Sequence, residues 1–485
     1  MNRLMSMLRK PGAKPEIRGV APTQHPAGKE DSIHPDVEGY TLRSKPRLLD
    51  RWLDLVVRMS GSEPVFFLIL AGLLTWALLG IKYGSTDSWQ VLISDIQAII
   101  SYIFDSFLVR QELNSYEEEM VAVAELESRM LSHQRMLAKA SQRLAVQDKK
   151  VSQSSIQENQ HAIEFGLELP AETRFGQAIT QISHVIGHLG TITLYWAGVF
   201  IWIGVGHLSG YSDKWQLYMN SASSALMVFI FAFLANIRER HAAYTRSCLD
   251  AIFHVDSTLE WKLRQLTNDT LPNNPVIISA PQVNRLQRAI FYYADFVGTL
   301  VGIAILIGVI IIWVAIGPLL HFDANWWLLI GTYAGLIGMH DGFVLRNMQA
   351  RLRGYVDDEF AHLAVQDATL FATVQIPRPT DETVANPSRT TRVSEAINRV
   401  CAHEVTVAVG VVTIVGLIIG ASVMKWTMTG QLLCNVPPSL IESFFMLALV
   451  TGHNSADGRK RVDLRNAYAR RLNLLGFVNA VQSVW

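Results

Sequence analysis

Cysteine is nearly absent. Cys248, Cys401 and Cys434 are scattered through 485 positions, too few and too far apart for a disulfide framework. Charge is scarce as well: 17% of residues are charged, and 42 basic side chains balance 42 acidic ones. Without a basic excess, no nucleic-acid partner is expected. The opening MNRLMSMLRKPGAKPEIRG lacks a continuous apolar core, so it does not read as a secretory signal. No glycine-rich phosphate loop occurs, which argues against an ATP-driven pump. His403-Glu404 opens HEVTV but has no second histidine four residues after the first, so the zinc-protease helix is missing. With no nucleophile–base pair either, an enzyme is not expected, nor is a prosthetic group.

What the chain has in abundance is apolar sequence. Half of it is hydrophobic and the mean hydropathy is positive, a pattern that favours a membrane protein. Eight stretches are long and apolar enough to span a bilayer: 64–83, 90–109, 186–208, 216–236, 296–318, 326–346, 405–424 and 433–452. They come in pairs joined by short connections such as IKYGSTDSW and GPLLHFDANW, while long polar segments separate the pairs. Arg and Lys crowd the long-segment ends: Arg47 and Arg51 before the first span, Arg238 and Arg240 after the fourth, Arg351 and Arg353 after the sixth, Arg459 to Arg461 after the eighth. By the positive-inside bias, both termini and every long segment are expected in the cytoplasm.

The pairs also resemble one another. Trp89-Gln90 aligns with Trp215-Gln216, Trp326-Trp327 and Gly430-Gln431, and the following helix then falls in register without gaps. The expected fold is an all-α polytopic membrane protein: eight transmembrane helices as four parallel two-helix repeats, with cytoplasmic helical extensions. Residues 1–55 form an N-terminal region. The repeats occupy 56–110, 184–237, 295–347 and 403–454. Helical segments 111–183, 238–294 and 348–402 separate them, and 455–485 is a closing helix or tail.

Polar residues inside these spans carry the functional argument. Ser94, Gln97, Ser101 and Asp105 share one helix face; the aligned stripes are Asn220, Ser224, Met227 and Phe231, then Gly331, Gly335, Gly338 and Gly342, then Asn435, Ser439, Glu442 and Met446. An Asp near the bilayer centre costs roughly 2.5–3.5 kcal/mol, and the ten Leu, Ile, Phe and Val residues of 92–109 return about 0.3–0.6 kcal/mol each. A span holding both Asp95 and Asp105 is therefore marginal alone and needs protein or water on its polar face. Oxygen and imidazole ligands suit a divalent metal, which makes Asp95, Gln97, Asp105, Asn220, Asp341, Asn435, Glu442 and His453 candidate metal ligands.

Plainer readings stand beside these. The glycine stripe suits close helix packing better than a pore lining. Asp105 and Asp341 have Arg110 and Arg346 nearby and could be salt-bridged anchors, whereas Asp95 and Glu442 have no neighbouring cation. His184 and His188 share a helical face but lie at a membrane entrance, where solvation is the commoner fate. His453-Asn454 reads equally as an inner-gate ligand or a polar helix end. Cys434 beside Asn435 reads as packing.

Several of these stretches together resemble the fungal low-affinity iron permease family: PGAKPEIRGVAPT, RMSGSEPVFF, WQVLISDIQAIISYIFDSFLVRQ, YYADFVGT, NWWLLIGTYAGLIGMHDGFVLRN, TGQLLCN and ALVTGHN. The likeness is weakest over 111–183. It implies a plasma-membrane transporter of Fe(II), also associated with other divalent or transition metals, with the ion as substrate rather than cofactor. His340 has no counterpart in that resemblance. The stripes suggest the route: entry between the Trp-Gln loops, oxygen ligands from Asp95, Asn220 and Asn435, then Glu442, then Asp105, Asp341 and His453 towards the cytoplasm. A cation transporter of other selectivity, or a scaffold whose stripes only lock helices, are the rival readings. The amphipathic stretches 110–145, 237–268 and 347–372 are open to three uses: a cytoplasmic bundle, a homodimer interface or a regulatory contact.

Overall fold

The computed structural model describes residues 16–24, 39–42, 45–146, 169–322, 324–383 and 389–484. The polar break expected over 146–160 lies almost wholly outside them.

The same three-helix phrase occurs four times along the chain. A 13-residue amphipathic helix comes first: α1 (Leu48–Ser60), α4 (Arg174–Ile186), α7 (Arg285–Val297) and α10 (Arg389–Cys401). An apolar helix follows: α2 (Glu63–Tyr83), α5 (Leu189–Gly206), α8 (Leu300–Ile316) and α11 (Glu404–Val423). A long helix closes each phrase: α3 (Asp87–Val146), α6 (Asp213–Thr267), α9 (Ala324–Val374) and α13 (Val436–Val484), the last preceded by the single turn-and-a-half of α12 (Met428–Leu433). Among the described residues, seven helices are long and apolar enough to cross a membrane. An eighth crossing results if α7 and α8, bent by 65° at a short break, count as one span.

Three of the apolar stretches read from sequence are trimmed or broken in the structure. The stretch 186–208 loses its start because α4 ends at Ile186 and the chain turns at Gly187, with His188 capping α5. The stretch 296–318 is interrupted at Gly298-Thr299. The stretch 433–452 begins with a break at Cys434-Asn435, ahead of two prolines in the first turn of α13.

The short helices were not anticipated, and their residues explain them. Each buries its sixth and tenth residues, one helical turn apart: Leu53 and Val57, Ile179 and Ser183, Ile290 and Ala294, Ser394 and Asn398. A cap residue then starts the apolar helix at the same offset: Ser62, His188, Thr299 and His403. His188 and His403 accept a backbone N–H two residues on, at 3.0 and 3.2 Å.

The long helices form a closed ring, α3–α6–α13–α9, with α3 and α13 diagonally opposed. Partner numbers rise together across every seam, so all four run in one direction. Ser94 meets Asn220 and Arg129 meets Glu260; Ser223 meets Ser439 and Lys262 meets Asn479; Tyr102 meets Tyr333 and Ser141 meets Thr373; Gly338 faces Glu442 and Asp367 meets Arg470. Each short helix lies over one seam: α1 on α3/α6, α4 on α6/α13, α10 on α13/α9 and α7 on α9/α3. The apolar helices sit outside the ring with broad exposed faces, such as Leu68, Leu74 and Ile81 on α2.

At the end with short connections, tryptophans lock three of the four apolar helices to their long helices. Trp76 stacks on Trp89, Trp202 on Trp215 and Trp313 on Trp326, with ring centroids 4.2, 3.8 and 4.3 Å apart. Their indole N–H groups donate across each pair to main-chain oxygens; in two of the three pairs the exchange is reciprocal. The fourth phrase has Leu417 and Gly430 at these positions, and Cys434 Sγ lies 3.4 Å from the Leu417 carbonyl instead.

At the other end the extensions of the long helices remain bundled. A strand pair, β1 (Ile17–Gly19) antiparallel to β2 (Val276–Ile278), seals against α3. Gly19 is needed there because a Cβ would fall 2.5 Å from that of Ala124. The core of this half is ionic as well as apolar. Arg129 reaches Glu260 (2.9 Å) and Asp256 (3.3 Å), and Arg471 reaches Asp256 (2.9 Å) and Asp367 (2.7 Å), all essentially without solvent exposure. Arg470 completes the network on Asp367 at 2.9 Å.

Candidate metal-ion path

All eight sequence-chosen candidates are buried, and none faces outward. They fall at successive depths along the ring. Nearest the tryptophan end, Asn220 Nδ2 donates to Ser94 Oγ at 2.7 Å and Ser221 donates to the Gln90 carbonyl at 3.0 Å. Asn435, in the break just ahead of α13, packs against Gly331 on α9, where a Cβ would lie 2.6 Å from its amide nitrogen. Asp95 makes no hydrogen bond to a described residue, and its Oδ2 is buried and unpartnered. One turn further, Ala98 packs against Trp313, Trp326 and Ile330, so Asp95 sits towards the α3–α9 seam, off the stripe through Ser94 and Asp105. The structure thus joins Asn220 to α3 but gives no bond between Asp95 and either asparagine.

A middle layer is uncharged. Gln97 Nε2 donates to Ser101 Oγ at 2.9 Å, Ser224 Oγ donates to Gln97 Oε1 at 3.4 Å, and the Ser223 and Ser439 hydroxyls lie 3.1 Å apart.

Below it sit three carboxylates, Asp105, Asp341 and Glu442, each at most 1% exposed and close enough to act on one another electrostatically. Both oxygens of Asp105 and both of Glu442 are unpartnered; Asp341 accepts only from Tyr293 Oη, at 2.7 Å. The anchor reading of Asp105 and Asp341 is overturned. Arg110 instead holds Asp54 (2.6 Å), Asp50 and the Gly298 carbonyl, while Arg346 holds Gln349 and the Asn398 carbonyl. Five residues along a helix is a rotation of about 140°, which turns each arginine off its aspartate's face. The glycine stripe serves close packing: Gly338 leaves room for the Glu442 carboxylate, where a Cβ would sit 2.6–2.7 Å from its atoms, and Gly335 and Gly342 abut Asn435 and Phe445. Among the described residues no three His, Cys, Asp or Glu side chains are gathered to hold one ion. The polar groups are spread in depth.

Two features that no local sequence signal reveals close the lower end. An ionic layer crosses all four long helices: Glu112 takes Arg238 (3.5 Å) and Arg353 (3.1 Å), and Glu119 takes Arg353 (3.0 Å) and Lys460 (2.5 Å). Burial alone would raise the Glu119 carboxyl, but Lys460 and Arg353 hold it below its ordinary range. Beside this layer His453 Nε2 meets His241 Nδ1 at 2.9 Å, and His241 lies 3.3 Å from Asp457. Burial pushes the His241 imidazole down to about 4. A cavity of about 680 Å³ opens between α3 and α6 and reaches these groups; its walls include Glu112, Glu119, Arg238, His241, His453 and Asp457.

The remaining candidates have structural work. Asn454 exchanges two 2.8 Å hydrogen bonds with Ser183 and so pins α4 to α13. His188 is a helix cap and His184 is exposed. Cys434 is buried in the α12–α13 break. His340 lies edge-on to Tyr293, centroids 4.6 Å apart, with Nδ1 unpartnered.

Comparison with known proteins bears on this arrangement. The family described as "Low affinity iron permease" matches residues 174–273 and 390–478. The chain is 35% identical over 445 residues to the "Low-affinity iron/zinc ion transport protein fet4" of Schizosaccharomyces pombe, covering 91% of this chain and 75% of that one. It is 34% identical over 469 residues to the "Low-affinity Fe(2+) transport protein" of Saccharomyces cerevisiae, covering 91% and 85%. No solved structure matches.

Proposed function

We propose that this multi-pass membrane protein, which belongs to the low-affinity iron permease family, carries Fe(II) into the cell along the interior of its four-helix ring. The observation that carries the reading is the trio Asp105, Asp341 and Glu442: carboxylates inside the ring, without cationic partners among the described residues, one turn or more below a layer of amides and hydroxyls. Unpaired acids at such a depth are destabilising unless they serve a cation.

On this reading the four phrases are copies of one two-span unit, oriented alike, in the plasma membrane with both termini and the bundled extensions in the cytoplasm. The ion enters beside Trp89-Gln90 and its equivalents. It meets Ser94, Asn220 and Asn435, with Asp95 at the flank, then Gln97, then Glu442, Asp105 and Asp341. Few charged ligands at each depth, with water completing the shell, favour weak binding and fast release. An inside-negative potential drives a dication by roughly 4.6 kcal/mol per 100 mV, twice the single-charge value. The ionic layer of Glu112, Glu119, Arg238, Arg353 and Lys460 blocks the axis directly below. Exit is therefore sideways, past His453 and His241 into the α3–α6 cavity. The relatives' names carry zinc as well as Fe(II), and oxygen-rich layers discriminate poorly between such ions, so Zn(II) and Mn(II) are expected to compete.

The test is metal uptake by proteoliposomes under an imposed negative potential, with Fe(II), Zn(II), Mn(II) and Cu as substrates. Glu442→Gln and Asp105→Asn are expected to slow Fe(II) uptake by about tenfold, as for a barrier raised by roughly 1.4 kcal/mol. Uptake of all four metals at the wild-type rate in both variants contradicts the path. No uptake by the wild-type chain favours a scaffold.

A further inference from the structure

The four short helices present their outward faces in four directions, one over each seam of the ring. Those faces are apolar and basic together. On α1, Leu48, Leu49, Trp52, Leu55 and Met59 are more than half exposed. Ile182 and Val185 on α4, Tyr292 and Phe296 on α7, and Val393 and Val400 on α10 are also exposed. Interleaved are eight arginines and no lysine: Arg51 and Arg58 on α1, Arg174 on α4, Arg285 and Arg288 on α7, and Arg389, Arg392 and Arg399 on α10. All eight are exposed. The six on α4, α7 and α10 have no carboxylate partner among the described residues; on α1 the two acids are already engaged by Arg110, and Arg58 lies 3.8 Å from Glu239.

We propose that α1, α4, α7 and α10 form a collar in the headgroup layer of the bilayer and bind anionic phospholipid. Their apolar faces enter the acyl boundary, and their guanidinium groups fork onto lipid phosphates. A planar, weakly hydrated guanidinium suits phosphate bidentately better than an ammonium does, which accounts for the use of arginine alone. A helix that is apolar on one side and basic on the other, joined to a span through a sharp bend, lies in the interface plane. The α7–α8 bend of 65° provides that attachment. Geometry selects lipid over a second copy of the chain. One partner related by a two-fold axis covers one or two neighbouring seams, whereas a bilayer surrounds all four. The inference needs only that the spans cross a membrane and is independent of the ion path.

The test uses the full chain in lipid nanodiscs without metal. The Trp52 emission, taken as the difference between wild type and Trp52→Phe, is measured against brominated phosphatidylserine and brominated phosphatidylcholine at equal mole fraction. The collar predicts about twofold or more extra quenching by the anionic lipid, against a limit of about fivefold per arginine near the surface. Native mass spectrometry of Arg285→Gln/Arg288→Gln and Arg392→Gln/Arg399→Gln should show about half the retained anionic lipid, restored by Arg→Lys in part and with neutral lipid unchanged. Equal quenching by the two lipids overturns the proposal from the wild type and Trp52→Phe alone, whether or not the multiple arginine variants fold. So does a dimer that shields Trp52 from both.

Discussion

The four long helices bury carboxylates at two depths and treat them in opposite ways. In the extended half, Asp256, Glu260 and Asp367 are fully enclosed, and each is met by at least one arginine at 3.3 Å or less. In the apolar half, Asp105 and Glu442 are equally enclosed and meet none. The first arrangement fixes the relative position of four helices, because each charge is satisfied only in one register. The second leaves charge unspent where a mobile cation would neutralise it. Between them, Glu112, Glu119, Arg238, Arg353 and Lys460 mark the boundary: below this layer the buried acids Asp256, Glu260, Asp269, Asp367 and Asp457 each have a basic protein partner.

The comparison can be broken by removing one member from each half. Arg129→Leu strands Asp256 and Glu260 on that side and is expected to cost about 3–5 kcal/mol, read as loss of thermal stability in detergent. Glu442→Gln, which strands nothing, is expected to leave the melting temperature at or above that of the wild type. Equal destabilisation by both substitutions would mean that the two depths do not differ. Next in size, Gly338→Ala forces a methyl against the Glu442 carboxylate and is expected to cost about 1–3 kcal/mol, largely recovered in the Gly338→Ala/Glu442→Ala double variant. Additive losses in that cycle would show that the two residues do not meet.

The smallest effect is a pH dependence at the boundary. His241 is held neutral by burial, at about 4 against an ordinary 6.5, so the unfolded chain binds the extra proton first. Stability from this group is complete above about 6.5 and is lost as pH falls towards 4. The groups facing it are His453, Asp457, Arg461 and Lys460 from α13, and Glu172 ahead of α4. His241→Gln should flatten the stability profile between pH 6.5 and 4; an unchanged profile assigns the dependence to other groups.

What the sequence revealed follows from what is local. The apolar stretches, the polar face of Ser94, Gln97, Ser101 and Asp105, and the tryptophan register are written in spacing along single helices; in the structure the four polar residues are buried and the tryptophans stack. The 13-residue helices were missed because each is too short and too mixed to stand out beside a span, although LLDRWLDLVVRMS and RLQRAIFYYADFV both carry the turn-by-turn apolar spacing. The ionic boundary was illegible for a different reason. Glu112 and Arg353 are paired across 241 positions, and only the assembled ring makes them neighbours. The mistaken anchors, Arg110 for Asp105 and Arg346 for Asp341, show the limit of proximity in sequence: being near along a helix is not being on the same side of it.

The most direct measurement of the central claim is the position of the ion itself. Anomalous scattering at the iron edge, from crystals of the chain equilibrated with Fe(II) under reducing conditions, should place a peak inside the ring within ligand reach of Glu442, Asp105 or Asp341, and Glu442→Gln should weaken it. Iron density only on the outer surface, with the ring interior empty at every depth from Asn220 to Glu442, would contradict the account.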